Sequence, residues 1–290
     1  MRINNNIMAI NSHRQYGINS GAIGRSVERL SSGFRVNRAA DDAAGLAISE
    51  KMRTQIRGLN QASRNSQDGI SLVQTAEGAM QSAHSIMQRM RELAVQSANG
   101  TNDTDDRKAL DLEFEQLIQE LGQIESTVKF NGMTVFGGGQ AVGEDGFFQI
   151  QSGANAGDIT TFSIGSLNAL EHVATGGDGS STTVNGVNAL RVGISTMAGA
   201  SASIAALDTA INSITMSRAE LGAIQNRLEF KIQNLDNTAE NLQAAESRIR
   251  DVDMASAMTE FTRNNILFQA STAMLAQANA LPQGVLQLVG

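Results

Sequence analysis

The chain has 290 residues, of which 41% are hydrophobic and 18% are charged, so it can bury a sizeable core in one or two domains. It contains no cysteine, no tryptophan, one tyrosine and one proline. This composition excludes disulfides and thiolate metal sites, and it favours a helical core of Leu, Ile, Met, Ala and Phe. The net charge of −7 disfavours nucleic acid as a partner.

The charge is unevenly distributed along the chain. Residues 1–65 carry ten Lys or Arg and four Asp or Glu, a balance of +6, whereas the remaining residues carry 12 and 25, a balance of −13. The basic start of one chain could therefore attract the acidic surface of another, or its arginines could form a solvated helix face. Neither interpretation is excluded by the sequence.

The first residues, through His13, are rich in Asn and lack the basic and then apolar pattern of a cleaved signal peptide. No uninterrupted apolar run is long enough to cross a bilayer, so we expect no membrane insertion. Apolar residues then recur at helical spacing and predict a first helix. They are Ile3, Ile7, Ile10, Ile23, Val27 and Leu30.

A second helix is predicted to begin after Asp41 and Asp42, whose carboxylates can accept from the free amides of the first turn. Its apolar positions continue to about Ser97, and the Asn99-Gly100 step ends it. A third helix begins near Asp105 and Asp106. Its apolar residues alternate spacings of four and three, so it should fold back antiparallel on the second helix; they are Leu110, Phe114, Leu117, Leu121, Ile124 and Val128.

The middle of the chain changes in character. Short apolar runs at 147–150 and 159–164 flank the Gly153–Gly157 turn and predict a small β-hairpin. Residues 166–199, rich in Gly, Ser and Thr between 174 and 190, predict an exposed loop.

The C-terminal part carries the clearest pattern, a heptad repeat that predicts a helix of about 48 residues, roughly 70 Å long, packed along a partner. Arg218, Gln225 and Glu246 interrupt the companion positions, which favours a specific helix bundle over a plain two-stranded zipper. We call the repeating residues the core heptad row: Leu207, Ile214, Leu221, Leu228, Leu235, Leu242 and Ile249.

A last helix follows, and Asp251 and Asp253 are more simply a helix break than a calcium loop, because the central glycine and distal Glu of such a loop are missing. Neither terminal helix has an obvious covered face, so another copy's terminus is the expected cover. The apolar positions of the last helix are Met254, Met258, Phe261, Phe268 and Leu275.

The predicted fold is mainly α: a long antiparallel helical bundle, or coiled coil, formed by the N- and C-terminal halves, with a small β-hairpin region in the middle. The expected domains are 1–42 with 251–290 as a terminal helical polymerisation domain, and 43–165 with 200–250 as a helical core. The loop at 166–199 completes the chain.

No motif for chemistry is found in the sequence. His13, His84 and His172 share no metal-ligand spacing, and neither a Ser nucleophile elbow nor a phosphate-binding glycine loop is present. We therefore expect a structural protein and not an enzyme, with no catalytic, cofactor or metal site.

Long stretches resemble the two conserved parts of bacterial flagellins. RLSSGFRVNRAADDAAGLAISEKMRTQIRGLNQAS, NSQDGISLVQTAEGAM and QRMRELAVQSANGT resemble the N-terminal part, and RAELGAIQNRLEFKIQNLDNTAENLQAAESRIRDVDMA and FTRNNILFQASTAMLAQANALPQGVLQLVG the C-terminal part. The two blocks cover about 1–165 and 200–290. The resemblance implies a filament subunit of the bacterial flagellum, exported by the flagellar type III apparatus to the cell exterior.

The resemblance also implies terminal helices that are disordered in the monomer and ordered in the filament. The implied partners are further copies of the chain, an export chaperone at the C-terminal segment, filament cap and hook-junction proteins, and a vertebrate innate immune receptor. Only about 35 residues separate the two blocks where flagellins usually carry outer domains, so we expect a thin, smooth filament.

The receptor expectation concerns one stretch of the second helix, which resembles the segment of flagellins recognised by that receptor. The resemblance implies Arg89, Leu93 and, on the antiparallel helix, Glu113 as contacts. The full stretch is Gln88, Arg89, Met90, Arg91, Glu92, Leu93, Ala94 and Val95.

Three alternatives stay open at this point. A hook-filament junction protein shares the paired-end plan but usually matches the flagellin blocks more weakly. A flagellin-like enzyme with a peptidase in its middle is disfavoured by the short, histidine-poor middle region. A free binding module for a receptor or mucosal surface would differ from a filament subunit in not polymerising.

Overall fold

A computed structural model describes residues 6–136, 147–164 and 193–289, with side chains up to Leu281 in the last helix. Most of the described residues are helical. The helices are α1 (Ile7–Ser32), α2 (Ala43–Ser97), α3 (Thr104–Thr127), α4 (Met197–Arg250) and α5 (Met254–Val289). This arrangement confirms the predicted mainly α fold, in which helices from both ends of the chain pack together.

Two short antiparallel strand pairs lie between α3 and α4. The predicted hairpin is confirmed as β3 (Phe148–Gln151) and β4 (Ile159–Phe162), with Phe148 paired to Phe162. A second pair, β1 (Lys129–Phe130) with β2 (Met133–Thr134), was not predicted. Its turn is Asn131-Gly132, and φ is positive at both residues, 50° and 81°, as a tight two-residue hairpin requires.

Side-chain caps explain where the helices begin. Asp42 Oδ1 accepts from Gly45 N at 2.8 Å in the first turn of α2, as predicted. Asp41 instead accepts from the amides of Asn37 and Arg38 in the preceding turn, and these bonds, that of Arg38 first, hold the pKa of Asp41 below its usual value. Only one of the two carboxylates therefore caps the helix.

Helix α4 is longer than expected, with 54 residues. It begins at Met197 because Thr196 Oγ1 accepts from Gly199 N at 3.1 Å and so caps the first turn. The last residues of the predicted 166–199 loop are therefore helical. Residues 166–192 of that loop lie outside the described part of the chain.

The chain forms two compact units. Unit 1 comprises Met1–Ile56 and Ala239–Gly290, and unit 2 comprises Arg57–Thr238. Both boundaries fall inside α2 and α4. The predicted domains divide the chain at residues 42 and 251 instead. That division separates the part expected to be ordered in the monomer from the part expected to be ordered only in the filament, and it stays a prediction.

Unit 2 contains one continuous core, in which α2, α3 and α4 enclose fully buried methionine, leucine and phenylalanine side chains. The β3–β4 hairpin closes the core from the side: Ile150 packs against the face of α2 at Gly69, where a Cβ would collide with it. The largest fully buried residues include Met80, Met87, Met90, Leu93, Phe114, Leu207, Leu221 and Leu228.

Two of the three polar residues that interrupt the heptad pattern of α4 make ion pairs with α2. In unit 2, Arg218 Nη2 lies 3.6 Å from Glu77 Oε1; in unit 1, Glu246 Oε1 lies 4.0 Å from Arg53 Nε. Each pair favours one alignment of α2 with α4 within its own unit, because a charge there has its counterpart at only one register.

Candidate assembly surfaces

Helices α1 and α5 pack antiparallel along a face of small and polar side chains. Asn19 Nδ2 donates to Ser271 Oγ at 2.6 Å, and Asn264 Nδ2 donates to Ser26 Oγ at 3.1 Å. Each of these four side chains belongs to a row of small or polar residues spaced by seven. The matching heptad rows are Ser12, Asn19 and Ser26 on α1 and Asn264, Ser271 and Ala278 on α5.

Further contacts extend this pairing over the whole length of α1. Asn6 Nδ2 donates to the carbonyl oxygen of Ala278 at 2.7 Å, and the rings of Tyr16 and Phe268 lie 4.9 Å apart. Small side chains allow close approach, and the half-buried amides of Asn19 and Asn264 find partners on the facing helix, so the polar rows favour one register for the two ends. We call α1 with α5 the terminal pair.

The connection between the terminal pair and the long helices is a short β-bridge. Val252 N donates to Gly33 O at 3.0 Å, and Arg35 N donates to Arg250 O at 2.7 Å. The Arg250 guanidinium lies 4.8 Å from the centre of the Phe34 ring and 2.7 Å from Glu50 Oε1. The hydrogen bond from Arg250 holds the pKa of Glu50 below its usual value.

The apolar side chains predicted for assembly fall into two groups. Ile23, Leu30, Phe261, Phe268 and Leu275 are half-buried in unit 1. A second group is exposed, with Ile7 and Ile10 showing 63% and 64% of their surface. The remaining exposed members of the prediction are Val27, Met254 and Met258, and Ile3 lies outside the described residues.

The helices of the terminal pair thus meet through small, polar and half-buried apolar side chains, while several large apolar side chains lie exposed on its outer surface. Other exposed apolar residues on it were not predicted: Met8, Ile18, Ile266, Leu267 and Met274. An open groove of about 290 Å³ lies between the helices, lined by Asn11, Ser12, Gln15, Leu267, Ala270, Ser271 and Met274. Exposed apolar surface of this extent marks an interaction site.

Within unit 2, the core heptad row supplies the α4 side of the bundle. Leu207 and Leu228 are completely buried, and Ile214, Leu221 and Leu235 are nearly so. The last two members of the row, Leu242 and Ile249, lie in unit 1 and are half-buried.

The receptor-recognition stretch does not present a uniform surface. Arg89 is exposed and its Nη2 lies 2.9 Å from Glu113 Oε1, a hydrogen bond that holds the pKa of Arg89 above its usual value. Glu92 also pairs with Arg89, at 3.1 Å. Arg91 lies on another side of the helix, where its Nε is 2.6 Å from Asp208 Oδ1.

Leu93, the other contact predicted on this helix, is buried, with only 1% of its surface exposed. It points into the core at helical spacing with Met90 and Ala94, which are also buried. Gln88, whose amide lies 2.9 Å from His84 Nε2, and Val95 are exposed. The stretch therefore presents only some of its side chains to solvent, and its recognition by a receptor stays a prediction.

The described residues contain no group of three or more His, Cys, Asp or Glu side chains arranged to hold a metal ion. Across the same part of the chain, none of the helices combines the length and the hydropathy needed to cross a membrane. The features that are present, paired chain ends with an apolar outer surface and a long helical bundle with one core, define a helical structural protein built for self-association.

Comparison with known proteins gives the family. Residues 3–141 match the bacterial flagellin N-terminal helical region, and residues 204–289 match the bacterial flagellin C-terminal helical region. The chain belongs to the bacterial flagellins. It is a structural subunit of the flagellar filament and not an enzyme.

Similar proteins cover the whole chain. A flagellin of Halalkalibacterium halodurans is 52% identical over 290 residues, and one of Bacillus subtilis (strain 168) is 49% identical over 305, each with 100% of both chains covered. The flagellar filament 31.3 kDa core protein of Treponema maltophilum is 46% identical over 295 residues, again with 100% of both covered. A crystal structure of Bacillus cereus flagellin is 33% identical, with a TM-score of 0.48, covering 63% of this chain and 94% of that one.

Proposed function

We propose that this flagellin polymerises through the outer apolar surface of its terminal pair, which becomes buried against the terminal pairs of neighbouring copies. The observation that carries the proposal is the inverted arrangement of α1: Asn19 and Ser26 face α5, while Ile7, Ile10 and Ile18 face outward. A hairpin of helices stabilised only by its inner contacts would place these residues the other way round.

The same arrangement supports folding that depends on assembly. The contacts between α1 and α5 include a few side-chain hydrogen bonds, each of which contributes on the order of 1 kcal/mol net, and the ring contact of Tyr16 with Phe268, while the large apolar side chains of the pair are at most half-buried. Ordering roughly 60 residues costs far more than a few such bonds return. Burial of the outer surface in the filament supplies the missing apolar area, so the terminal pair becomes ordered as copies join.

The test is the double variant Ile10→Ser with Ile18→Ser. Both side chains are exposed, at 64% and 55%, so the substitutions leave the inner contacts and the core intact. We expect seeded polymerisation to require at least about tenfold more protein, because two large apolar groups lose their burial. The measurement is the critical concentration, from sedimentation and electron microscopy after seeding with wild-type fragments.

The matched control is Ile159→Ser on β4, an equivalent change at a side chain that is 44% exposed in unit 2. It should polymerise as the wild type does. If the α1 variant also assembles at the wild-type concentration, the outer surface of the terminal pair does not drive polymerisation.

The same micrographs report filament width, for which we expect a thin, smooth filament without projecting domains.

We further propose that the apolar surface of α5 is covered before assembly by an export chaperone. Met254, Met258 and Ile266 are exposed on one chain end, and such a surface would promote premature association in the cell. Secretion through the flagellar export apparatus and contacts with cap and hook-junction proteins belong to the same proposal. No observation favours the hook-filament junction protein as an alternative.

A second proposal is recognition by a vertebrate innate immune receptor through the exposed Arg89–Glu113 pair. Arg89→Ala should weaken binding of the receptor ectodomain to the monomer by about tenfold or more, because charged residues at the centre of an interface often carry that much affinity. Arg218→Ala is the matched control, since Arg218 lies outside the receptor-recognition stretch and also pairs with an acidic residue on a neighbouring helix, Glu77. Equal affinity of both variants and the wild type would exclude this site.

A further inference from the structure

The solvent side of α4 carries a second regular stripe, opposite its buried heptad row. Its residues alternate spacings of four and three, all are exposed, and none is charged. Met216 and Phe230 show 69% and 71% of their surface, which is unusual for such large apolar side chains in a folded unit. The α4 stripe is Asn212, Met216, Ala219, Ala223, Asn226, Phe230, Gln233 and Asn237.

A stripe of the same kind lies on α3. It too alternates spacings of three and four, is fully exposed and lacks charge, and its large apolar residue, Leu112, is 64% exposed. The α3 stripe is Ala109, Leu112, Gln116, Gln119, Gln123 and Ser126. Uncharged exposed stripes at this period are the pattern by which one helix packs along another.

We infer that the α3 stripe of one flagellin copy docks along the α4 stripe of a second copy in the filament. This inference rests on the proposed polymerisation and assigns a further contact to it, within unit 2. The small residues Ala219 and Ala223 lie between Met216 and Phe230 and leave room for Leu112 of the second copy. The amides of both stripes can bond to one another over a contact of about 26 Å.

The charges beside the two stripes are compatible with this contact. Glu115 and Glu120 flank the α3 stripe, while Arg227 and Lys231 lie beside Phe230 on α4. Glu220, one heptad before Arg227, lies on the same side of the α4 stripe as Arg227 and Lys231, and Glu229 lies on the other side. Attraction is therefore confined to the C-terminal half of one side, which would select one orientation of the docked helix.

The geometry also suits an open polymer. The two stripes are different surfaces present on every copy, so each copy can act once as donor and once as acceptor. Such a heterologous contact generates a helical array when its rotation does not close into a ring. A contact of the α4 stripe with itself would instead give a closed dimer.

The first experiment measures assembly of Phe230→Ser and Leu112→Ser by critical concentration after seeding with wild-type fragments. We expect an increase of about tenfold or more for each, with wild-type thermal unfolding of the monomer, because both side chains are exposed in it. Phe230→Leu should assemble nearly as the wild type does. Wild-type critical concentrations for both serine variants overturn the inference.

The second experiment identifies the partner surface by cross-linking. The natural chain contains no cysteine, so an introduced cysteine is the only thiol that can react. Leu112→Cys is mixed with Met216→Cys, Ala223→Cys or Phe230→Cys, the mixture is polymerised, and a short bismaleimide is added. One of the three mixtures should give the mixed dimer, since the three sites are spaced by a heptad. Dimers of α4 cysteines with themselves, or no mixed dimer in filaments, would overturn the assignment to α3.

The experiments distinguish a failure of the α3–α4 contact from a failure of the proposed polymerisation. If the wild type does not polymerise under any seeded condition, the polymerisation proposal fails. If the wild type polymerises, Ile10→Ser with Ile18→Ser is impaired and Phe230→Ser is not, then only the α3–α4 contact fails.

Discussion

Deleting residues 254–290 is expected to abolish filament formation and to leave unit 2 folded. The deletion removes all of α5 and with it the inner partner of α1 along its whole length. Without α5, α1 loses the contacts that fix its position, so the exposed apolar side chains of the two helices cannot form one surface. Unit 2 loses nothing, because Arg57–Thr238 contains none of the deleted residues.

The expected readouts follow from helix lengths. Helix α5 has 36 residues and α1 has 26. If α1 depends on α5 for order, the far-ultraviolet circular dichroism signal should fall by more than the loss of α5 explains. The cooperative thermal transition of the core should persist, and seeded samples should show no filaments at concentrations where the full chain polymerises.

Filaments of normal width from the truncated chain would show that the terminal pair is dispensable. Loss of the cooperative transition would show instead that the core depends on α5, which contradicts the division into units. The double serine variant on α1 is the complementary experiment, since it retains both helices and alters only their outer surface.

Replacing Leu228 by Ala should destabilise the core by about 3 kcal/mol, the typical cost of a cavity at a fully buried leucine. Leu228 has no exposed surface and belongs to the continuous core of unit 2. Its side chain lies beside Ile150 on the face of α2 at Gly69, and such close-packed neighbours cannot close the cavity completely. Urea unfolding followed by circular dichroism measures the change.

The matched control is Leu242→Ala, two heptads further along the same helix and the same row. Leu242 is half-buried, so we expect a loss of about 1 kcal/mol. The heptad pattern alone treats the two positions as equivalent. Equal destabilisation by the two variants would contradict the difference in burial between Leu228 and Leu242.

The helices were predictable because their signals are local. The Asp42 and Asn99-Gly100 boundaries, the alternating spacings of α3 and the heptads of α4 each occur within a few turns of chain. The β1–β2 hairpin was missed although Asn131-Gly132 is a strong turn signal, because its strands have only two residues each and carry no alternation.

The terminal pair shows where pattern analysis fails. Apolar periodicity picked out Ile7 and Ile10, for which another copy was the expected cover, and both are exposed. It did not identify the polar contacts that Asn19 and Ser26 make with α5. The heptad spacing of these polar residues was visible in the sequence. Its meaning depends on a second helix about 250 residues away, and no local pattern specifies that pairing.

Periodicity and capping residues were sufficient for the helical class and the order of the helices, because each depends on neighbours along the chain. The family followed separately, from the resemblance of long stretches to flagellins. Which side of a helix is covered depends on neighbours in space. Leu93 and Arg89 lie within one turn of α2, yet one is buried in the core and the other forms an exposed ion pair with Glu113. Packing of α3 and α4 against α2 makes that distinction, because it decides which side chains lose contact with water.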